Sequence, residues 1–339
     1  MTGTQKVTIA SIAKEIGVSV PTVSKVLNGR PDVAAATRAR VEEALEQAGY
    51  RRRRGRTPTG PPLIDLVFHE LDSAWSIEII RGVEQAAAAE GAGVVLTELG
   101  GKHRPSQAWL DAALARRPLG VIFVLSSLDP AQRQQLSSRS IPFVVVDTAG
   151  EPPEGVPTVG SNNWNGGLQA TRHLLGLGHR RVAVISGPSD VLCSRARIDG
   201  YRSAHESAGL PVDPSLVRYG NFYVDGGYER GMELLSRPDR PTAIFAGSDM
   251  QALGVLRAAR ELDLRVPQDL SVVGYDNLPL TEWIGPALTT VDQPLHAMAV
   301  TATAMLGDLA RGVTPASPQI DLATELVVRE STAPPPPLP

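Results

Sequence analysis

The sequence has few of the residues that build covalent or metal-dependent sites. Its 339 residues include one cysteine, Cys193, which excludes an internal disulfide and a cysteine zinc site and fits a reducing compartment. We expect Cys193 to be a small, partly buried residue without chemistry. Only 4% of the residues are aromatic, no apolar run could span a bilayer, and the N-terminus lacks a signal-peptide core. These absences predict a soluble cytoplasmic protein.

Signatures of catalysis are missing as well. The sequence has no pattern for an activated nucleophile, a metal-ligand cluster or a phosphate loop. Gly91-Ala92-Gly93 follows a predicted helix and precedes a predicted strand, the reverse of a dinucleotide-binding fingerprint. Structural hydrogen bonds are the simpler interpretation of His173 and His179. The sequence therefore predicts no enzyme, no metal and no cofactor.

What the chain does have is an uneven distribution of charge. Residues 1–62 contain 11 Lys and Arg against 5 Asp and Glu, whereas the remainder contains 22 against 31. A basic head on an acidic body is typical of a nucleic-acid-binding module joined to a second functional body. The length suits two or three domains, and the 42% apolar content supports real cores.

The head begins with a pattern of two short helices joined by a tight turn. Apolar residues from Ile9 to Ile16 recur at helical spacing, and Gly17 ends this first helix because glycine takes a positive φ without steric cost. Ser19 is the predicted N-cap of the second helix, with Pro21 in its first turn. This arrangement predicts a helix-turn-helix DNA reader, the alternative being a helical hairpin of no special purpose.

The second helix divides into an apolar and a polar face. Its apolar residues are expected to face inward: Val20, Val23, Val26 and Leu27. Its polar residues are expected on the open face: Thr22, Ser24, Lys25 and Asn28. A third helix is predicted over about 35–48, with Thr37 at its start. We assign residues 1–50 to a small all-α DNA-binding domain.

Residues 51–62 form a linker rich in arginine, proline and glycine, with no apolar residue to bury. From residue 63 the chain alternates short apolar runs with helical patterns. Strands are predicted at 63–68, 94–97, 121–125, 143–147, 182–186, 243–246 and 271–275. Helices are predicted at 75–90, 107–116, 164–175, 195–208, 226–235 and 249–262. Such alternation favours parallel sheets covered on both faces.

Two doubly wound α/β lobes are the economical arrangement of so many strand and helix units. The body is assigned to residues 63–332. The first lobe is predicted at about 63–161 and 292–320, and the second at about 162–291 and 321–332. The proline-rich tail, 333–339, cannot be helical and offers no coiled-coil heptads.

Several segments together resemble one family. The head sequence from Val7 to Gly29 closely resembles the DNA-binding head of the lactose/galactose repressor (LacI/GalR) family. Further matches follow in family order: His173-Leu174-Leu175, Gly178-His179-Arg180-Arg181-Val182, Ser194-Arg195-Ala196-Arg197, Gly200-Tyr201, Ser248-Asp249-Met250-Gln251-Ala252-Leu253-Gly254, Val272-Val273-Gly274-Tyr275-Asp276-Asn277 and Leu288-Thr289-Thr290-Val291.

The resemblance implies a ligand-responsive transcriptional regulator, in most cases a repressor. It implies a homodimer on a palindromic operator in double-stranded DNA, and no membrane partner. The body would resemble periplasmic sugar-binding proteins and hold a small effector, a sugar or glycoside, between its lobes. A nucleoside is also compatible with the residues of the cleft.

The head residues are predicted to divide between phosphate and base contacts. The hydroxyl or amide groups of five residues are suited to bind phosphate oxygens of DNA: Thr8, Ser19, Thr22, Ser24 and Asn28. Thr37 is also predicted to contact DNA. The resemblance places Val20, Pro21 and Lys25 where base edges are read, and Lys25 is the donor suited to guanine O6 and N7. The alternatives are a solvated charge at Lys25 and a simple helix cap at Thr8.

The linker departs from the family pattern. Relatives continue with a helix whose leucine enters the minor groove, whereas this chain has no leucine before Leu63. Its arginines are predicted to contact DNA instead: Arg51, Arg52, Arg53, Arg54 and Arg56. They suit a narrow minor groove, and non-specific phosphate contacts are the alternative.

Ligands of open α/β lobes bind at the carboxyl ends of strands, where Asp147, Asp249 and Asp276 stand. An arginine and carboxylates are suited to clamp neighbouring hydroxyls. The resemblance carries effector roles most firmly onto Arg197 and Asp276. It extends them to other residues of the cleft: Asp72, Trp75, Asp147, Phe222 and Ser248. The alternatives are a helix cap at Asp249 and core packing for the two aromatic residues.

Two other functions each explain only part of the chain. A transport-associated sugar-binding protein explains two lobes, but it needs a secretion signal and leaves the basic head unexplained. A constitutive nucleoid-binding protein leaves the two-lobed body idle. The regulator interpretation uses every segment.

Overall fold

The computed structural model describes residues 8–27, 33–48, 61–71, 73–148, 150 and 154–336. The predicted contacts at Asn28, at Asp72 and at the linker arginines lie outside these residues. In the described part, the head has three helices: α1 (Ile9–Glu15), α2 (Val20–Leu27) and α3 (Ala35–Gln47). No helix of the described chain is long and apolar enough to cross a membrane.

The head forms as its local signals predict. Thr8 caps α1, its Oγ1 accepting the Ser11 N–H at 3.1 Å, and Gly17 takes φ +69° in the turn. Ser19 Oγ accepts the Thr22 N–H at 3.2 Å at the start of α2. One buried cluster, Ala13, Val23, Val26 and Val41, joins the three helices. Four side chains make a minimal core, so caps and turn contribute a large share of the stability.

The inward placement of Val20 is wrong. Val23 and Val26 are buried, but Val20 is 45% exposed. Val20 lies three residues before Val23 on the helix, but it is the first residue of α2, so no preceding turn of that helix covers its side chain. Its apolar surface stands in solvent, which is compatible with the base-edge role that the resemblance gives it.

The body consists of two six-stranded sheets covered by helices, as the sequence predicts. The strands are β1 (Leu63–Phe68), β2 (Gly93–Glu98), β3 (Gly120–Val124), β4 (Phe143–Val146), β5 (Thr158–Ser161), β6 (Val182–Ser186), β7 (Val217–Tyr219), β8 (Ala243–Ala246), β9 (Ser271–Asp276), β10 (Thr289–Asp292), β11 (Gln319–Leu322) and β12 (Glu325–Val327). The helices are α4 (Ala74–Ala89), α5 (Gln107–Arg116), α6 (Pro130–Ser138), α7 (Asn163–Gly176), α8 (Leu192–Ser207), α9 (Val224–Leu235), α10 (Asp249–Glu261) and α11 (Leu295–Arg311).

The two sheets have corresponding strand orders. The first runs β11-β5-β4-β3-β1-β2 and the second β12-β10-β9-β8-β6-β7. All ten strand pairings of these sheets are parallel except that of β10 with β12, which is antiparallel. The chain crosses between lobes three times, at 161–163, 292–295 and 322–325, and these crossings form the hinge. The last crossing follows β11, two residues beyond the predicted boundary at 320.

The prediction omitted two helices whose local signals are present in the sequence, the capping box and Pro130 of α6 and the long apolar stripe of α11, and five short strands. α6 and α11 were not predicted, nor were the short strands β5, β7, β10, β11 and β12. The missed strands have three or four residues, too few to show a period. α11 packs on α4 across the first sheet, and its apolar residues join the core of that lobe. The position of α11 is set by the first sheet, whose strands come from distant segments of the chain.

α7 and α8 cross at unusually close range in the second lobe. A Cβ on Gly167 would overlap the backbone carbonyl of Arg197, and one on Gly200 would overlap the carbonyl of Trp164. Only glycine therefore fits at either position of this crossing. The crossing fixes the backbone of α8 at the level of Arg197.

Candidate functional site

A cavity of about 360 Å³ lies between the carboxyl ends of the strands of both sheets. Of the seven predicted effector residues, six are described, and all six line this cavity: Trp75, Asp147, Arg197, Phe222, Ser248 and Asp276. Trp75 and Asp147 belong to the first lobe and the others to the second. The volume lies at the lower end of the range for small-molecule sites. The structure thus brings together residues as far apart in sequence as Trp75 and Asp276, and their role in binding stays a prediction.

Arg197 projects from the second turn of α8 and is buried. Its Nε donates to Asn163 Oδ1 at 2.8 Å, its Nη1 to the Gly247 carbonyl and its Nη2 to Gln293 Oε1 at 3.4 Å. The guanidinium lies over the ring of Tyr275, 3.7 Å from its centroid. These contacts fix the cation in a low-dielectric site, where its attraction for polar groups of a ligand is large.

The cation is balanced by buried carboxylates at two strand ends. Asp147 directly follows β4 and Asp276 ends β9, with φ +46° and +112°. Strain of this kind collects at ligand sites. Burial raises the pKa of Asp147 to about 6, against the lowering effect of Arg197. Burial also raises the pKa of Asp276 well above its usual range. The ionised Asp147 can therefore accept hydrogen bonds from a hydroxyl-bearing ligand, and Asp276, when it is protonated, can donate one as well as accept.

Two aromatic side chains face the cavity from opposite lobes. Trp75 donates from Nε1 to Gln293 Oε1 at 3.3 Å and packs against the core of the first lobe. The Phe222 ring lies directly against the backbone of Gly187, where a Cβ would overlap it. Both rings are partly packed, so core packing and a ligand-facing position occur together. Such rings suit the apolar face of a sugar or a planar base.

Ser248 and Asp249 have structural partners. Ser248 is the N-cap of α10, its Oγ accepting the Gln251 N–H at 3.0 Å and donating to the Phe222 carbonyl at 2.8 Å. Asp249 is therefore not the cap. It accepts from Thr290 Oγ1 at 2.6 Å and from the Leu278 N–H at 2.7 Å, and it does not line the cavity. Because these two hydrogen bonds already use the Ser248 hydroxyl, it has less hydrogen-bonding capacity left for a ligand.

The remaining single residues are structural. Cys193 is buried at the cavity wall, and burial raises the pKa of its thiol to about 12, so it stays protonated and unreactive. His173 Nε2 bonds Thr332 Oγ1 at 2.9 Å. His179 bonds Thr242 Oγ1 at 2.8 Å. Among the described residues, no cluster of His, Cys, Asp or Glu could hold a metal ion.

Sequence reasoning missed Gln293, which lies in the second crossing of the hinge. Its Nε2 donates to Asp147 Oδ2 at 2.8 Å, while its Oε1 accepts from Trp75 and Arg197. One amide thus joins three of the predicted effector residues across both lobes. Its position directly after β10 follows the same strand-end rule that indicated Asp147, but the short strand was itself not recognised.

The raised pKa of Asp147 predicts pH-dependent ligand affinity. Above about pH 6 the carboxylate is ionised and accepts hydrogen bonds from hydroxyls; below it the added proton occupies one acceptor. We expect affinity for a sugar effector to fall as pH drops from 7 to 5, by up to about tenfold per unit. Calorimetric titration across this range measures the effect. Asp147→Asn should bind more weakly at pH 7 and lose this pH dependence; an unchanged profile would contradict the assignment.

The predicted DNA-reading residues of the head differ in exposure. Ser19, Pro21 and Lys25 are exposed, as is Val20, whereas Thr22, Ser24 and Thr37 are half-buried. Thr8 caps α1 and is also exposed, so its side chain can form the helix cap and still be accessible to a DNA phosphate. Arg40 donates to the Ile16 carbonyl at 2.7 Å and ties α3 to the end of α1.

A helix-turn-helix reader joined to a two-lobed body with a polar cavity defines a class, the ligand-responsive DNA-binding regulators. Comparisons with known proteins agree. Residues 8–53 match the model of bacterial regulatory proteins of the lacI family, and residues 171–332 match a periplasmic binding protein-like domain. The chain is 35% identical to the HTH-type transcriptional regulator CelR of Thermobifida fusca over 334 residues, covering 96% of this chain and 98% of CelR.

Solved structures give the same answer. The chain is similar to a CelR–cellobiose complex, with TM-score 0.72, 34% identity and coverage of 96% and 100% of the two chains. It is also similar to the Lac repressor dimer bound to operator and the anti-inducer ONPF, with TM-score 0.70, 27% identity and coverage of 97% and 100%. The chain belongs to the LacI family. It is a sequence-specific DNA-binding transcriptional regulator.

Proposed function

We propose that this protein is a repressor whose affinity for operator DNA is set by a small polar effector, a sugar or glycoside, bound between its lobes. It acts as a homodimer on a palindromic operator and catalyses no reaction. The observation that carries the proposal is the cavity in which six predicted effector residues meet. A structure of CelR contains cellobiose, which supports a sugar effector. A structure of the Lac repressor is a dimer bound to its operator, which supports a dimer on operator DNA.

The effector acts through closure of the lobes. Trp75 and Asp147 stand in the first lobe and Arg197 and Asp276 in the second, so a ligand touching both pairs favours the closed form. A ligand shifts the equilibrium between open and closed lobes only if it binds one form more tightly than the other. The coupling free energy between the effector site and the DNA-binding site is expected to be about 1–3 kcal/mol. A thermal-shift screen of sugars and nucleosides, followed by operator titration with each hit, tests this mechanism. A hit that leaves operator affinity unchanged contradicts it.

Lys25 is proposed as the main base-reading residue. We expect Lys25→Ala to lower discrimination between operator and random DNA by about 1–3 kcal/mol, the range for a good base contact. Ser24→Ala should weaken binding to both DNAs evenly, because a phosphate contact does not depend on sequence. Fluorescence anisotropy at fixed salt measures both affinities. Equal operator preference in wild type and Lys25→Ala would refute the assignment.

The linker arginines are proposed to contact phosphates or the minor groove. Replacing Arg51, Arg52, Arg53 and Arg54 with glutamine should flatten the plot of log affinity against log salt by about one unit per lost contact. If the side chains enter the minor groove, the variant also loses any preference for an A·T-rich operator centre. A salt slope equal to that of the wild type would show that this segment does not touch DNA.

A further inference from the structure

The carboxylate of Asp276, which lines the cavity, is carried by a strained turn. Asp276 ends β9 with φ +112°, and the next residue, Asn277, has φ +57°. Neither residue is glycine, so a positive φ has a steric cost at both, although Asp and Asn tolerate it better than other side chains. Such backbone persists only where the surrounding structure holds it. The contacts that hold residues 276–278 therefore decide where the Asp276 carboxylate points.

An arginine that does not line the cavity holds this turn. Arg329 follows β12, and its side chain is 13% exposed. Its Nη2 donates to Asn277 Oδ1 at 2.8 Å, and its Nη1 donates to the Leu288 carbonyl at 2.9 Å and to Thr281 Oγ1 at 3.3 Å. Nη2 also donates to Glu282 Oε1 at 3.1 Å, at a carboxylate that is largely exposed. The planar guanidinium thus ties the turn to the segments on either side of it.

The side chain of Asn277 is held by two partners. Its Nδ2 donates to Asp292 Oδ1 at 2.8 Å, while its Oδ1 accepts from Arg329. Only this orientation of the amide satisfies both partners, because a guanidinium only donates and a carboxylate only accepts. Asp292 is the last residue of β10 and begins the hinge crossing at 292–295. Hydrogen bonds therefore run from Arg329 through the turn to the hinge.

A further contact on the turn depends on charge. Asp249 Oδ2 accepts the Leu278 N–H at 2.7 Å. Asp249 and Asp276 are both buried, and burial raises the pKa of each carboxyl group. Arg197 acts against burial at Asp276 and lowers its pKa, and Arg329 has the same effect on the pKa of Asp249. Arg329 thus supports the turn by its charge as well as by its hydrogen bonds.

We propose that Arg329 is a positioning residue for the effector site: it holds the turn at residues 276–278 and so aims the Asp276 carboxylate into the cavity, without touching a ligand itself. Its role extends the effector machinery to the segment that follows the last strand. The proposal rests on the proposed function only because Asp276 is taken to face an effector. Measurements on the ligand-free protein can therefore test Arg329 separately.

Hydrogen exchange of the ligand-free, full-length protein measures how firmly the turn is held. In Arg329→Met, the amides of Asn277 and Leu278 should exchange roughly tenfold faster or more, while β6 in the same lobe keeps its wild-type rate. Arg329→Lys should lie between the two, because lysine keeps the charge without the planar fork. Glu282→Gln removes only the exposed partner of the same arginine and should match wild type. Faster exchange throughout the second lobe, or unchanged exchange at the turn, would overturn the positioning role.

The pH profile of stability separates charge from packing. The folded-state pKa of Asp249 is above its unfolded value, so the folded protein binds more protons and its stability falls as pH rises through that interval. Without the Arg329 cation the folded-state pKa rises further, and the interval extends to higher pH. Asp147, Asp276 and Arg197 stay in place and act alike in wild type and variant.

The stability deficit of Arg329→Met against wild type should therefore be larger at about pH 8 than at about pH 5, measured by chemical denaturation. The deficit of Arg329→Lys should be equal at both pH values, because the positive charge is retained. A purely packing role would give Arg329→Met the same deficit at both, and that result would overturn the support by charge.

Calorimetric titration with cellobiose links the turn to the cavity. Where wild type binds cellobiose, Arg329→Met should bind it about tenfold more weakly or worse, and Glu282→Gln should match wild type. Equal affinity of wild type and Arg329→Met would show that the turn does not aim Asp276 at a ligand. A wild type that binds neither cellobiose nor any other sugar counts against the proposed function, and the ligand-free measurements still decide the role of Arg329.

Discussion

Replacing Arg197 with alanine is expected to weaken effector binding strongly and to destabilise the body by about 3–5 kcal/mol, the usual cost of removing one partner from a buried charge cluster. Its guanidinium donates to Asn163, Gly247 and Gln293 and is the main influence that lowers the pKa values of Asp147 and Asp276. Without it, both buried carboxylates lose their counter-charge. Ligand affinity should fall by roughly 10- to 150-fold, since a hydrogen bond to a charged group contributes about 1.5–3 kcal/mol.

Arg197→Lys separates binding from folding. Lysine restores the positive charge but not the planar fork, so it should recover part of the stability while affinity stays low. The control is Arg195→Ala, an exposed position on the same helix, which should match wild type in both measurements. Chemical denaturation and calorimetry provide the readouts. Tight binding by Arg197→Lys would mean that charge alone, without the fork, holds the ligand.

Replacing Gly167 with alanine is expected to cost about 3 kcal/mol or more of unfolding free energy and to weaken effector binding. The added Cβ would overlap the Arg197 carbonyl, so α7 and α8 must separate. Backbone cannot yield as a flexible side chain can, because the two helices are held by their own hydrogen bonds. The shift moves Arg197 relative to Asn163, whose 2.8 Å hydrogen bond joins the helices at the site.

The matched control is Gly176→Ala on the same helix. A Cβ there meets nothing within 4 Å, so alanine should be neutral or stabilise the protein by up to about 1 kcal/mol. Thermal denaturation of both variants, together with effector titration, measures the contrast. Equal stability of Gly167→Ala and Gly176→Ala would show that the helix crossing tolerates a wider separation.

Local signals in the sequence determined the head and most of the body. Thr8, Gly17 and Ser19 act through hydrogen bonds and dihedral preferences within a few residues, so their roles could be read directly. The buried strands β6 and β8 matched their predicted bounds because a continuous apolar run between turns needs no tertiary information. The strand-end rule likewise led to Asp147 and Asp276.

The tertiary structure alone decided which of these groups meet and what each one already bonds. Ser248 and Asp249 looked equivalent in sequence, but only the first caps α10, while the second is bound by Thr290 on a strand 41 residues away. The contacts of Gln293 and the hydrogen bond between Tyr223 and Glu70 depend on lobes between which the chain crosses three times. No local pattern encodes such contacts, because they arise where two sheets face each other.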